Sequence, residues 1–189
     1  MKKVLLIDNY DSFTYNLVHL VEEIIDQSVV VKKNDQLSIA EIEDYEYLIL
    51  SPGPGLPQDA GLLKEVIQTY GPHKKILGVC LGLQAIGEVY GCRLKNLNQV
   101  YHGIQSEVVQ SQESILFKGL ATRLEVGRYH SWVIDETTIN DQLKITSRDT
   151  TGQIMSIEHT EYNVYAVQYH PESIMTESGR MILTNFLNS

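Results

Sequence analysis

Cysteine is scarce in this chain: two residues among 189, Cys80 and Cys92. Two thiols cannot build the disulfide framework of a small secreted fold, and they point to a reducing compartment. Positive charge is also in deficit, with 15 Lys and Arg against 24 Asp and Glu and a net charge of -9. That balance argues against a nucleic-acid backbone or an anionic membrane as partner. Long apolar runs are missing. Residues 4–7 are apolar but Asp8 follows, which falls short of the roughly 7–15 residues of a signal-peptide core, and no later run could span a bilayer. No repeat, linker or low-complexity segment divides the chain. The expectation is a soluble, cytoplasmic protein with one domain over residues 1–189, large enough to bury a real core.

What the chain does have is alternation. "KVLLID" reads as a strand buried on both faces, and "SFTYNLVHLVEEI" follows with Phe13, Leu17, Leu20, Val21 and Ile24 at helical spacing. "SVVVKK" and "YEYLILS" read as the next strands. "AGLLKEVIQTYG" is a helix stopped at Gly71-Pro72, "KKILGVC" a fourth strand, and "LQAIGEVYG" a helix ended by Gly91. Such β-α-β order predicts an α/β fold with a mainly parallel sheet and helices on both faces. The second half reads differently. "SEVVQSQ", "RLEVGRYH", "LKITSRD", "IMSIEHT" and "VYAVQYH" are strands with few helices between them, expected as antiparallel additions, and "ESGRMILTNFLN" closes as a helix.

Ligands of such folds bind at the carboxyl ends of the parallel strands. Three loops fall there: "DNYDSFT", "SPGPGLPQDAG" and "GVCLGLQ". Gly53-Pro54-Gly55 lacks the third glycine of a dinucleotide fingerprint, since position 58 is Gln58. Ser12 and Thr14 could hold a flavin phosphate, but that loop has no glycine to let backbone approach it. A non-catalytic flavodoxin-like binding module is therefore one reading of the fold.

The third loop carries the chemistry. Gly78-x-Cys80-x-Gly82, at a strand-to-helix turn, has the pattern of a nucleophile elbow with sulfur in place of a serine oxygen. The turn places the thiol at a helix N-terminus, which favours thiolate, and the N–H of Leu81 points where an oxyanion would form. Gln84, one helical turn on, can face the same cavity. A buried core cysteine would also explain this stretch, and the motif alone leaves both readings open.

A thiol nucleophile needs a base. Of six histidines, His170 ends the strand "VYAVQY" and precedes Pro171 and Glu172. Proline keeps His170 extended, so residues 170 and 172 are expected on one side, with Glu172 holding the second imidazole nitrogen. Cysteine, histidine and carboxylate then make a triad from distant parts of the chain. A thiol hydrolase or peptidase is one enzyme that such a triad could serve. No histidine pair has metal-ligand spacing, so no metal is expected.

Taken together, "LLIDNYDSFTYNLV", "SPGPG", "ILGVCLGLQAI", "YHG", "RYHSW" and "VQYHPES", in this order, span essentially the whole chain. They resemble the class I (triad) glutamine amidotransferases, most closely the glutaminase subunits of anthranilate synthase and aminodeoxychorismate synthase. The resemblance implies a flavodoxin-like fold, a triad of Cys80, His170 and Glu172, and an oxyanion hole at the "GPG" loop and Leu81. It further implies L-glutamine binding by Gly53, Pro54, Gly55, Gln84, Ser131 and Trp132, with no cofactor in this chain. The implied partner is a chorismate-binding synthase subunit that receives the ammonia, covering the loops at 9–13 and 101–106, whose Tyr10 and Tyr101 are expected to be exposed. The motifs do not separate tryptophan from folate biosynthesis, and "SPGPG" leans to anthranilate synthase.

Three stretches depart from the family pattern. Leu83 stands where histidine is usual, Trp132 where leucine is usual, and "YHGI" where "MHGK" is usual. Leu83 shares a helix face with Ile86 and Tyr90 and is expected to be packed. Trp132 is expected to act through its backbone while its side chain narrows the pocket.

Overall fold

A computed structural model describes residues 2–189. Four parallel strands form in the first half: β1 (Val4–Asp8), β2 (Val30–Lys33), β3 (Tyr47–Leu50) and β4 (Lys75–Val79). Helices α1 (Thr14–Ile25), α2 (Leu63–Tyr70) and α3 (Leu81–Val89) connect or follow them. The second half adds β5 (Leu94–Asn96), β6 (Ile104–Gln110), β7 (Arg123–Arg128), β8 (Trp132–Ile134), β9 (Leu143–Asp149), β10 (Ile154–His159), β11 (Val164–Val167) and α4 (Gly179–Leu187).

Nine strands share one sheet in the order β2-β1-β3-β4-β11-β10-β9-β6-β7, and β5 pairs with β8 apart from it. The period-two alternation of a strand divides the core. Leu5 and Ile7 of β1 join Leu48, Leu50 and Ile76 against α2 and α3. Val4 and Leu6 join Tyr47, Ile49, Leu77 and Val79 against α1 and α4. Both faces of β1 and β3 are therefore buried, which is why these strands read as unbroken apolar runs.

Two expectations need correction. β11 is not a purely antiparallel addition: it pairs in parallel with β4, Ala166 opposite Gly78, and antiparallel with β10 on its other side, while β6, β7 and β9 have antiparallel partners alone. Its short apolar run is the same in either direction, so direction was invisible in the sequence. The strand also stops at Val167, so His170 lies beyond it. Ser173 N–H donates to the His170 carbonyl at 3.1 Å, closing a turn with Pro171 at its second position. That turn, rather than an extended chain, carries Glu172 back to His170. The β5–β8 pair was not anticipated; at three residues each, its strands are too short to show a period.

The β4–α3 junction is packed backbone to backbone. A Cβ on Gly78 would lie 2.6 Å from the Gly82 carbonyl carbon, and one on Gly82 would lie 2.7 Å from the Leu50 carbonyl oxygen. Neither neighbour is a flexible side chain that can swing aside. Gly78→Ala is expected to lower stability by about 1–3 kcal/mol, read as a lower urea midpoint at unchanged m-value.

Candidate active site

Cys80 sits in the corner that these glycines permit. Its backbone adopts φ 52° and ψ -98°, a region costly for any residue with a side chain. Two bonds hold it there: Cys80 N–H donates to the Val167 carbonyl at 2.8 Å, and Gln84 N–H donates to the Cys80 carbonyl at 3.1 Å. Cys80 is buried, 6% exposed as a residue, at the N-terminus of α3. The first N–H groups of a helix have no acceptor within it, so Leu81 N–H is free for a ligand.

The cavity beside the thiol holds about 200 Å³ and is lined by Gly53, Pro54, Gly55, Cys80, Gln84, Tyr129, His130, Ser131 and Trp132. Drug-sized ligands need roughly 300–1,000 Å³, so this space suits a small metabolite. The loop after β3 is fastened by Asn9, which is buried. Asn9 N–H donates to Ser51 Oγ at 2.8 Å and its side-chain amide donates to the Ser51 carbonyl at 2.7 Å.

His170 faces Cys80 from the turn after β11. Its Nδ1 and Glu172 Oε1 are 2.7 Å apart, and both side chains are buried. Its Nε2 makes no well-formed hydrogen bond of its own. Burial pushes the imidazole pKa down, but interaction with Cys80 and with Glu172 pushes it further up, so it stands well above the usual value. The rings of Tyr129 and Phe13 flank it at 4.8 and 5.9 Å. Gln168, which lies in the "VQYHPES" stretch but was given no role there, also reaches the thiol: its Nε2 lies 3.6 Å from Sγ.

Trp132 enters the site through its backbone. Gln84 Nε2 donates to the Trp132 carbonyl at 3.1 Å, and His130 Nδ1 donates to the same oxygen at 3.1 Å. The His130 tautomer is set from behind, because Arg128 Nε donates to its Nε2 at 3.1 Å. Arg128 is buried, paired with Asp149 at 2.7 Å and bonded to Gln153 at 2.8 Å. Tyr101 is not a free loop aromatic. Its ring lies 3.5 Å from the Arg128 guanidinium carbon and stacks on His130 at 5.4 Å. Tyr10 is exposed, with its hydroxyl donating to Asp35 at 2.7 Å. Leu83 is wholly buried in the core under α3. Among the described residues, no three His, Cys, Asp or Glu side chains are grouped as metal ligands, and no helix is long and apolar enough to cross a membrane.

Residues 5–189 match the family model for "Glutamine amidotransferase class-I". The chain belongs to the class-I glutamine amidotransferases. It is similar to anthranilate synthase component 2 of Lactococcus lactis, 46% identical over 98% of this chain and 93% of that one. It is 41% identical to aminodeoxychorismate synthase component 2 of Escherichia coli, over 98% of this chain and 99% of that protein. It is also 40% identical to the bifunctional protein TrpGD of Thermotoga maritima, of which it spans 32%. A solved structure from Thermoplasma acidophilum, described as one subunit of a GMP synthase, shares the fold with a TM-score of 0.89 at 24% identity, covering all of this chain and 93% of that one.

His130 generates a pH prediction. Burial, then the Arg128 charge, push its pKa down from 6.5 to about 3. The unfolded chain takes up this proton near pH 6.5 and the folded one does not, so stability falls as pH drops from about 6.5 toward about 3. Between pH 7 and pH 5 this one group is expected to account for about 2 kcal/mol of lost stability. Urea unfolding of the parent and His130→Gln at both pH values should show the smaller pH difference in the variant.

Proposed function

We propose that this chain is a glutaminase subunit that hydrolyses L-glutamine and hands the ammonia to a chorismate-using synthase. The observation that carries the reading is the elbow cysteine facing a histidine held by a buried carboxylate, at the mouth of a cavity sized for an amino acid. The Cys80 thiolate attacks the side-chain amide carbon of glutamine. Leu81 N–H and the glycine N–H groups of the 53–55 loop receive the developing oxyanion; Pro54 has none to give. Charged His170, held by Glu172, gives its proton to the leaving nitrogen, and ammonia departs from a glutamyl thioester. Neutral His170 then takes a proton from water, which attacks the thioester and releases glutamate and the Cys80 thiolate. Gln84, Ser131 and the Trp132 backbone hold the amino-acid end, and the chain needs no cofactor for these steps.

The partner reading has support in the segment that follows Glu172. Ile174, two residues after Glu172, is 96% exposed, and Ile104 is exposed nearby, where Gln105 Nε2 donates to the Met175 carbonyl at 3.3 Å. An isoleucine left in water beside a reaction centre suits an interface. Of the two chorismate chemistries, the "SPGPG" loop leans to the anthranilate one. Co-purification with one or the other synthase subunit distinguishes tryptophan from folate biosynthesis.

Cys80→Ala is expected to abolish glutamine-dependent product formation in the reconstituted complex while synthesis from added ammonia persists. His170→Ala should cost about 10²–10⁴-fold in glutamine turnover, and Glu172→Gln less, since it only supports the histidine. Peptide cleavage by the lone chain, or retained flavin without glutaminase activity, would overturn the proposal.

Ile174→Glu is expected to weaken association with the synthase by at least about tenfold, the scale of one lost hot-spot contact, while the lone chain stays folded. Ammonia released per product formed should rise above one. Unchanged binding would move the interface elsewhere.

A further inference from the structure

Gln168 is fully buried, yet neither the oxyanion site nor the glutamine contacts use it. Its Nε2 lies 3.6 Å from Cys80 Sγ, within reach of an N–H donor to sulfur. Its Oε1 is buried with no partner at all. A buried amide with one end unpartnered is costly, and the end that is used here points at the reacting atom. We propose that Gln168 is a second donor to the Cys80 sulfur, holding the thiolate in place before attack and receiving it again when the thioester breaks.

The chain geometry makes this economical. Val167 fixes the Cys80 backbone through its carbonyl, and the next residues carry both side chains that reach the sulfur, Gln168 and His170. Gln168 is itself pinned, since its N–H donates to the Met155 carbonyl at 2.9 Å on β10. Only the amide nitrogen can satisfy a thiolate; the reversed amide would set an acceptor oxygen against the negative sulfur and strand the nitrogen instead. The titratable groups around the sulfur are His170 with Glu172 behind it, and His130 and Tyr129 across the cavity; α3 and the 53–55 loop line it with no charged residue. Gln168 is thus an uncharged donor whose contribution persists when His170 loses its proton. In the second half of the reaction His170 takes its proton back from water before thiolate leaves, so both donors then face the departing sulfur.

This inference rests on Cys80 being the nucleophile, but its test does not require glutamine. The intact chain is alkylated with iodoacetamide across a range of pH, and modification of the Cys80 peptide is followed by mass spectrometry. Gln168→Met keeps the volume and removes the donor. Its alkylation profile is expected to move up by about one pH unit, the size of one hydrogen bond to a charged atom. kcat for glutamine should fall about tenfold with KM little changed. Gln168→Glu, which sets a carboxylate against the sulfur, should move the profile further in the same direction. Gln168→Asn, too short to reach the sulfur, replaces the Met variant if that variant does not fold. An alkylation profile identical to the parent's in a folded variant overturns the proposal, even if kcat falls. A shifted profile in a chain that releases no ammonia from glutamine would uphold the Gln168 contact and sink the glutaminase reading instead.

Discussion

Everything in this site hangs on one strained residue. Cys80 holds a backbone conformation that L-residues avoid, at a cost of order 1–3 kcal/mol, and the surrounding sheet leaves it no alternative. β4 lies between β3 and β11, so the chain leaving Val79 cannot continue as strand without losing the helix that covers Leu50 and Ile76. The Val167 carbonyl takes the Cys80 N–H, and the two glycines let strand, helix and neighbouring strand close to contact distance. The strain aims the sulfur out of the core, at the edge where the helix N-terminus is open. Relaxing the turn would return Cys80 to the ordinary fate of a small buried hydrophobe.

A second set of constraints supports the opposite wall of the cavity, and it is polar throughout. The Arg128–Asp149 pair is fully buried, which is weak evidence of stability by itself because desolvation offsets most of the attraction. Its value here is geometric. Arg128 spends its donors on Asp149, Gln153 and His130, and His130 and Gln84 converge on one oxygen, the Trp132 carbonyl. That oxygen is fixed from two elements that never touch in sequence. The side chain at 132 is thereby free to vary, which accounts for tryptophan at a position where the family usually has leucine.

The fold was legible where local pattern and tertiary role agreed. Buried parallel strands must be apolar on both faces, so β1, β3 and β4 announced themselves, and Gly78-x-Cys80-x-Gly82 could be read because close backbone approach demands glycine. Strand direction was not legible for β11, since a four-residue apolar run is the same forwards or backwards. The His170–Glu172 contact was anticipated from a rule about extended chain and arises from a turn. Both put residues i and i+2 together, so a correct pairing came from an incorrect geometry. Arg128 and Gln168 lie within the "RYHSW" and "VQYHPES" stretches, but their roles were not legible, for a different reason. A buried Arg looks like a surface Arg in sequence, and a glutamine beside a strand gives no hint that one end of its amide will be left unpartnered.

Two buried histidines stand at this site, and their surroundings drive them in opposite directions. His130 is desolvated and faces Arg128, which together hold it neutral far below pH 7. His170 is equally buried, but its neighbours are Cys80 and Glu172, and both stabilise the charged ring. Placing the cation at His130 instead would set it against the Arg128 guanidinium in a site closed to water. The arrangement therefore admits one proton, on the imidazole that faces the sulfur, and uses the other imidazole as a fixed donor to the Trp132 carbonyl. The guanidinium of Arg128 does more than orient its neighbour: by disfavouring charge on His130, it leaves His170 as the imidazole whose surroundings favour a proton.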